Sequence, residues 1–505
     1  MSIIDNIVAA LSPEAAYRRE AYRQAYEELR SSYDAGSYDK SNRNWHVSNS
    51  SAELTDRYSR DNVRARARDL ERNSDIMNSV VGAFKRNIVG GGYHVQVKTD
   101  DEELNNQIER AWKKWCKKQN CDITGTQSLN QIIRMAVERK KIDGGILFVK
   151  RYTKDGFVPF KLQMIEVDEL DAGAVLPKNS GNKVVGGIEY NSFNKPVGYF
   201  IRQYDVDGYS LREPIWVDEK NVIFYFTKKR PSQLREMSDV APTIPRVRDI
   251  NEFITAVSVK ERIMACLSIF IKKLLPTGSN YGRGNGAMSD RVSYEGKTLA
   301  PGMIKELNAG DEIQVVNPSG QGADATDFTK LQQRLIGAGQ GISYEATSRD
   351  MAESTYSSAR QGLIEDELTY KEDKELLIEV LDEIFETFLI SAVLCGAVSI
   401  PKFWKEKDRF LAHEWVQEPK PWIDPYKESN ANKIALQTGQ KTYKQIAAEN
   451  GRDWRTQIDD MAEVLEYGKE KGIDLGGVLF GIKEESTPEP DDEGSGGNKD
   501  DSEKE

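Results

Sequence analysis

The chain is poor in the residues that most enzymes and stapled folds depend on. It has three histidines in 505 residues, His46, His94 and His413, and none stands at metal-ligand or acid–base spacing from another. General-base chemistry built on imidazole therefore has little material. Cysteine is as scarce: Cys266 and Cys395 sit in apolar helical stretches, while Cys116 and Cys121 have no second pair or histidine cluster to complete a zinc site. All four read as buried free thiols. No apolar run is long enough to cross a bilayer, and the longest uncharged one, 387–400, ends a charged amphipathic helix and reads as core. MSIIDNIVAAL, at the start, has no basic stretch ahead of its apolar residues, which predicts a chain made and kept in the cytosol.

Nucleotide-binding motifs are missing in context even where the letters resemble them. GRGNG at 282–286 follows a helix instead of linking a strand to one. GKT at 296–298 lacks the first glycine of a phosphate loop, because that position is Arg291, and the following LAPGM cannot start the required helix. Gly90, Gly91 and Gly92 close a helix and turn into a strand, so they read as a C-cap and not as a phosphate cradle. The 81 carboxylates include no clustered pair on adjacent apolar strands, so ordinary solvated acids are the better reading than a carboxylate–metal nuclease. Neither cofactor nor metal is expected.

What is present is length, charge and helix. A chain of this size exceeds one core and predicts two to four lobes. Charged residues make up 30% and apolar residues 38%, which suits a large wetted surface, part of it between subunits. Residues 484–505 carry ten acids against two bases, so they hold eight of the net eleven negative charges and leave the body near neutral. That tail, rich in Pro, Gly and Ser and without apolar anchors, is expected to be disordered.

Periodicity predicts a basic, then amphipathic helix from 56 to 89, with Val63, Ala67, Leu70, Ile76, Val80 and Phe84 on its inner face, followed by a strand at 93–97. Helices at 102–118 and 128–139 precede the strands GILFVKRY, FKLQMIEV, VVGGIEY, PVGYFIRQY and NVIFYF, which predict an α+β lobe with an antiparallel sheet. Two long rods follow, one over 246–275, of about 30 residues and roughly 45 Å, and one running to Gly396, roughly 57 Å long. A shorter helix is expected at 326–336, and the chain beyond Pro401 reads as helical and aromatic. The second rod opens on STYSSARQGLIEDE, a start with little to bury, in which Ser358 and Gln361 have capping-box spacing.

Several blocks, in order, resemble a known family: RARDLERNSDIMNSVVGAFKRNIVGGGYHV, IPRVRDINEFITAVSVKERIMACLSIFI, LAPGMIKELNAGDEIQVVNP, GAGQGISYEATSRDMAESTYSSARQGLIED and PWIDPYKESNANKIALQTGQKTYKQIAAENGRDW. Over about 45–475 the chain is similar to the lambda-type portal proteins of tailed bacteriophages, and YSSAR preceded by GISYEA is the most specific element. The resemblance implies a ring oligomer, typically a dodecamer, at one capsid vertex of the virion, assembled in the host cytoplasm. Double-stranded DNA is packaged and ejected through it. The implied partners are the terminase large subunit, a head-completion or adaptor protein, and the major capsid and scaffold proteins; a membrane is not among them, and the protein hydrolyses nothing.

The same resemblance implies an N-terminal arm at 1–44, a wing at 45–242, a stem helix at 243–275, a clip at 276–325 and a second stem helix at 326–342. A tunnel-loop region at 343–358, a long wing helix at 359–400, a helical crown at 401–483 and the disordered tail complete the order. Channel candidates are Arg349, Ser354, Tyr356, Ser357, Ser358 and Arg360, with Arg246, Arg248, Lys260 and Arg262 on the stem. Small hydroxyls suit copies converging on an axis just wide enough for a duplex, and the arginines would touch phosphates weakly, with the acids at 365–367 keeping the DNA moving. The competing reading of the same stretch is a capped helix start packed on a neighbour, with Arg360 bonded to a carboxylate. Other classes left open are a carboxylate–metal nucleic-acid-processing enzyme and a non-channel adaptor.

Overall fold

The computed structural model describes residues 12–30, 44, 47, 49–209, 211–266, 270–271, 305–306, 322–352, 354–417, 425–452 and 454–473. Most of the expected N-terminal arm and clip, the end of the crown and the acidic tail lie outside the described residues. The chain divides into two compact units, one of residues 1–59 with 229–234 and one of the remainder.

The first unit contains α1 (Pro13–Arg30) and α2 (Ala52–Asp56). Tyr17 and Tyr22 of α1 are exposed. Ser51 caps α2, accepting from the Leu54 N–H at 3.4 Å, and the Ser232 hydroxyl accepts from the Ala52 N–H at 2.9 Å.

In the second unit the helix predicted over 56–89 is broken into α3 (Arg60–Asn73) and α4 (Asp75–Ile88). Ser74 is the reason: it leaves helical geometry and its hydroxyl accepts from the Met77 N–H at 3.3 Å, starting a new helix. Two arginines of α3, Arg64 and Arg68, turn inward. Arg64 pairs with Asp168 at 2.6 Å and Glu236 at 3.3 Å, and Arg68 pairs with Asp143 at 2.7 Å. Buried charges must be matched in this way, so the basic text of α3 serves folding.

Strand β1 (Tyr93–Val97) is followed by α5 (Glu102–Trp115), α6 (Lys118–Cys121) and α7 (Leu129–Asp143). Gly144 ends α7 at φ +91, and a Cβ there would stand 2.4 Å from the Met237 carbonyl carbon, so both conformation and space require glycine. The single expected sheet is two. β2 (Gly145–Tyr152) lies between β3 (Phe160–Ile165) and β8 (Val222–Phe226), antiparallel to both. β4 (Lys183–Val185), β5 (Ile188–Tyr190), β6 (Pro196–Ile201) and β7 (Ile215–Asp218) form a separate antiparallel sheet in sequential order. The division follows burial: β2 is covered on both faces through Lys150, whereas β6 and β7 keep partly exposed positions. VVGGIEY is split by Gly186 and Gly187, both at positive φ, and β7 was not among the expected strands.

α8 (Ile244–Cys266) carries the first rod, but Phe270 and Ile271 form a short strand, β9, parallel to β10 (Lys305–Glu306). Phe270 and Ile271, one aromatic and one β-branched, are extended here, where helix was expected to 275; the rest of that expected stretch past Cys266 lies outside the described residues. α9 (Gly322–Gln340) runs longer than predicted and packs beside α8, with the Phe253 and Phe328 rings 4.6 Å apart. The short α10 (Tyr344–Ser348) leads to α11 (Tyr356–Leu394), 39 residues long.

The core gathers around the C-terminal part of α11, where Leu377, Leu381, Ile384, Phe385, Phe388, Leu389 and Ala392 are buried. Trp112 and Trp115 stack 5.0 Å apart, Trp115 lies 5.2 Å from Phe160, and Trp112 meets the Phe385 edge at 5.3 Å. Trp115 also donates its indole N–H to the Phe160 carbonyl at 2.8 Å, so this large ring is buried without an orphaned donor.

Beyond α11 the expected all-helical crown begins with α12 (Lys407–Phe410) and then a strand, β11 (His413–Gln417), which pairs antiparallel with β1 across more than 300 residues of sequence. α13 (Pro425–Gln437), α14 (Tyr443–Glu449) and α15 (Trp454–Glu470) follow. Cys121 is buried and burial pushes its thiol up to about 12, leaving it unreactive. Cys395 is exposed just past the end of α11, contrary to expectation, because the apolar face of the helix has already turned away; the side chain of Cys266 lies outside the described residues.

Candidate functional site

The stretch between α9 and α11 is an ordered sequence of caps. Gly341, at φ +70, ends α9, and its carbonyl accepts from the Thr369 hydroxyl at 2.6 Å. Ser343 caps α10, accepting from the Ala346 N–H at 3.2 Å while donating its own N–H and hydroxyl to the two carboxylate oxygens of Asp366, at 2.6 and 2.7 Å. Arg349 closes α10 at φ +61, in the left-handed region, with its side chain exposed. Asp350 then accepts from the Ala352 N–H at 3.0 Å and the Tyr344 hydroxyl at 3.2 Å. Those bonds hold its carboxyl below the usual carboxylate range, led by the Ala352 N–H.

Two of the candidate hydroxyls are already engaged. Ser354 donates to Glu345 at 2.7 Å. Thr355 is the N-cap of α11, accepting from the Ser358 N–H at 3.3 Å, and Ser358 in turn accepts from the Thr355 N–H at 3.0 Å. The capping box thus lies one turn earlier than expected, and Gln361 bonds Glu365 at 3.0 Å instead. The physical reason is reach: a short hydroxyl at the third helical position can close on the N-cap backbone as a glutamine would. Ser357 and Arg360 are exposed, and the Tyr356 side chain lies outside the described residues.

The acidic segment at 365–367 does not act as one surface. Asp366 is 2% exposed and committed to Ser343, and Glu367 pairs with Lys374 at 2.5 Å. Asp366 is therefore a structural latch that the local sequence did not mark, since its partner lies 23 residues away.

The stem candidates are strung along α8 and are not gathered at the loop. Arg246 donates to Gln332 on α9 at 3.3 Å, and Arg248 pairs with Asp249 and Glu252 at 3.2 and 3.5 Å. Arg262 is exposed and Lys260 half-buried, nearer the other end of the helix. Arg360 with Leu363 and Ile364 lines a cleft of about 1090 Å³ whose other walls include Trp415 of β11 and Trp454 of α15. Among the described residues no group of three or more His, Cys, Asp or Glu could hold a metal ion, and no helix is long and apolar enough to cross a membrane.

Residues 38–374 match the family model described as phage portal protein, lambda family. The chain is 25% identical over 425 residues to the probable portal protein of Halomonas phage phiHAP-1, covering 81% of each. It is 20% identical over 456 residues to portal protein B of Escherichia phage lambda, covering 82% of this chain and 85% of that one. A chain from the neck of an empty GTA particle superposes with a TM-score of 0.42 at 11% identity, covering 76% of this chain and 93% of that one.

Proposed function

Because the chain belongs to the lambda family of phage portal proteins, we propose that its copies, typically twelve in this family, close into a ring at one capsid vertex and pass double-stranded DNA through the central hole. In this reading α8 and α9 are the stem around the axis, and 343–358 adjoins the channel. Residues 276–325 form the clip on which the terminase large subunit docks, later replaced by a head-completion or adaptor protein. The ring is built with major capsid and scaffold proteins in the host cytoplasm, remains in the virion, and catalyses nothing itself.

One observation carries this reading. Beyond Ile250, which is fully buried, α8 and its neighbour α9 expose apolar side chains to solvent: Ile254, Val259, Phe328, Leu331 and Leu335. A helix pair left apolar on its outer side in one subunit is stabilised by burying that side against another. A head-to-tail contact of this kind closes into a ring when each copy turns by a fixed angle. Light scattering and electron microscopy of the purified protein test it. Rings with a central hole are expected, and a stable monomer under packaging-relevant conditions would sink the proposal.

A further inference from the structure

Five cations share one exposed strip where α5 runs into α6. On one side α5 buries Leu104, Ile108, Ala111, Trp112 and Trp115, which fixes its opposite side to solvent. There Arg110, Lys113 and Lys114 recur at spacings of three and four, so they are neighbours on one face, and Lys117 and Lys118 extend the strip past the helix end. All five are exposed. The turn that carries the last two is fixed by Asn120, whose amide donates to the Lys114 carbonyl at 2.8 Å and whose backbone N–H donates to the Lys117 carbonyl at 2.9 Å. Lys114 is further placed by Phe157, its Nζ standing 3.9 Å from the ring centre.

Among the described residues none of the five forms an ion pair. Glu109, four positions ahead of Lys113, accepts instead from the Val97 N–H at 2.8 Å. Exposed cations elsewhere find acids: Arg212 pairs with Asp205 at 2.9 Å, and Arg409 with Asp100 at 2.6 Å. Like charges at helical spacing destabilise a helix, and the negative end of α5 offsets this only within its last turn. A polyanion laid along the strip removes the repulsion.

We propose that this strip is the docking surface for the acidic C-terminal segment of the chain, residues 484–505. Charge complementarity argues for it, since that segment holds ten acids against two bases and concentrates four of them in EPDDE at 489–493. Reach argues for it as well. The first turn of α15 is tied to the first turn of α5 by Arg455 and Glu102, 3.5 Å apart. From there α15 is roughly 25 Å long and the strip begins within roughly 20 Å, so the two ends lie within about 45 Å of each other. Asp491 can extend up to roughly 60 Å from Ile473, the last described residue, which is more than enough. Duplex DNA is the competing polyanion, and position disfavours it. Trp112 meets Phe385 at 5.3 Å, roughly 44 Å along α11 from its start at Tyr356, so the strip lies far from the segment read as adjoining the channel. The docking goes beyond the proposed function and does not depend on it.

Zero-length carbodiimide cross-linking of the full-length protein, mapped by mass spectrometry at low and high salt, tests the contact. Lys113, Lys114, Lys117 and Lys118 are expected to join acids of 484–505 on the order of fivefold more often than the exposed Lys195 and Lys220 do, with the excess lost at high salt. Lys113→Gln combined with Lys117→Gln should lower the linkage at Lys114 and Lys118 while leaving the melting temperature unchanged. Neutralising the other partner, with Asp491→Asn, Asp492→Asn and Glu493→Gln together, should do the same without touching the folded body. Links to the tail spread evenly over all exposed lysines would overturn the proposal. So would strip lysines joined chiefly to acids outside 484–505, which would give the strip to another protein surface. Strip lysines unlinked to the tail but shielded from acetylation by an added mixed-sequence duplex would give it to nucleic acid.

Discussion

Asp366 receives both the backbone N–H and the hydroxyl of Ser343, at 2.6 and 2.7 Å, from a position 23 residues further along the chain. This pair of bonds ties the start of α10 to the third turn of α11. It sets where the intervening segment, with Arg349, Ser354 and Ser357, begins and ends. An expected negative surface is thereby a fastening, buried because both its oxygens are used.

Asp366→Ala should free that segment without unfolding the protein. Losing the acceptor leaves a backbone N–H and a hydroxyl unsatisfied, at a cost of about 1–3 kcal/mol. The check is limited proteolysis: faster cleavage within 349–355 with little change at the α7–β2 core. Unchanged cleavage would show that the latch is dispensable.

Lys140 and Lys141 face Asp373 at 2.6 and 2.8 Å, with Asp239 3.0 Å from Lys140, in a buried cluster joining α7, the approach to α8 and α11. Burial opposes the ionisation of Asp373, but Lys141 and Lys140 outweigh it and hold the carboxyl below the usual carboxylate range. Asp373→Ala leaves two buried cations to share Asp239 alone, one positive charge in excess, and should cost about 3–5 kcal/mol, seen as a large fall in melting temperature. A carboxyl with a depressed pKa stabilises the fold above its unfolded value of about 3.9 and loses that contribution as pH falls through the folded value. The wild type should therefore melt progressively lower in acid, with a smaller dependence in the variant.

His413 should give the opposite dependence. Its Nδ1 lies 2.6 Å from the Leu411 carbonyl and its Nε2 3.0 Å from Asp382, which also accepts from the Trp415 indole at 2.6 Å. Burial disfavours the charged ring, but the hydrogen bond to Asp382 leads the effects that raise its pKa. Two acceptors, one at each nitrogen, favour the imidazolium. The stabilisation is complete below the unfolded value of about 6.5 and fades as pH rises through the raised folded value. Melting of the wild type between neutral and mildly alkaline pH should fall more steeply than that of His413→Gln, and parallel curves would rule the clamp out.

Leu331 and Leu335 on α9 are 51% and 38% exposed in the isolated chain. Leu331→Asp and Leu335→Asp should leave the subunit's unfolding free energy within about 0.5 kcal/mol of wild type, as exposed sites do. They should nonetheless shift light scattering from the ring to smaller species. Unimpaired rings would place the subunit contact elsewhere.

Arg360→Ala separates the two readings of the YSSAR stretch. Intact rings with altered DNA packaging or retention support a channel role, whereas failure of assembly supports a subunit contact. Packaging and assembly assays on one preparation distinguish them.

Periodicity, caps and breakers in the sequence determined most helices, most strands between 145 and 226 and the long rod of α11, because each depends on neighbours within a few residues. The lack of clustered histidine, cysteine or paired carboxylates pointed away from catalysis, and YSSAR with its flanking blocks pointed to the family. Tertiary structure alone decided that Ser74 breaks one helix into two, that β1 takes its partner from beyond α11, and that Arg64 and Arg68 of α3 face distant carboxylates. It also decided that Asp366 serves Ser343. The reason is the same in each case: a charge or a strand edge has no preferred partner along the chain, and only packing selects which distant group satisfies it or leaves it open.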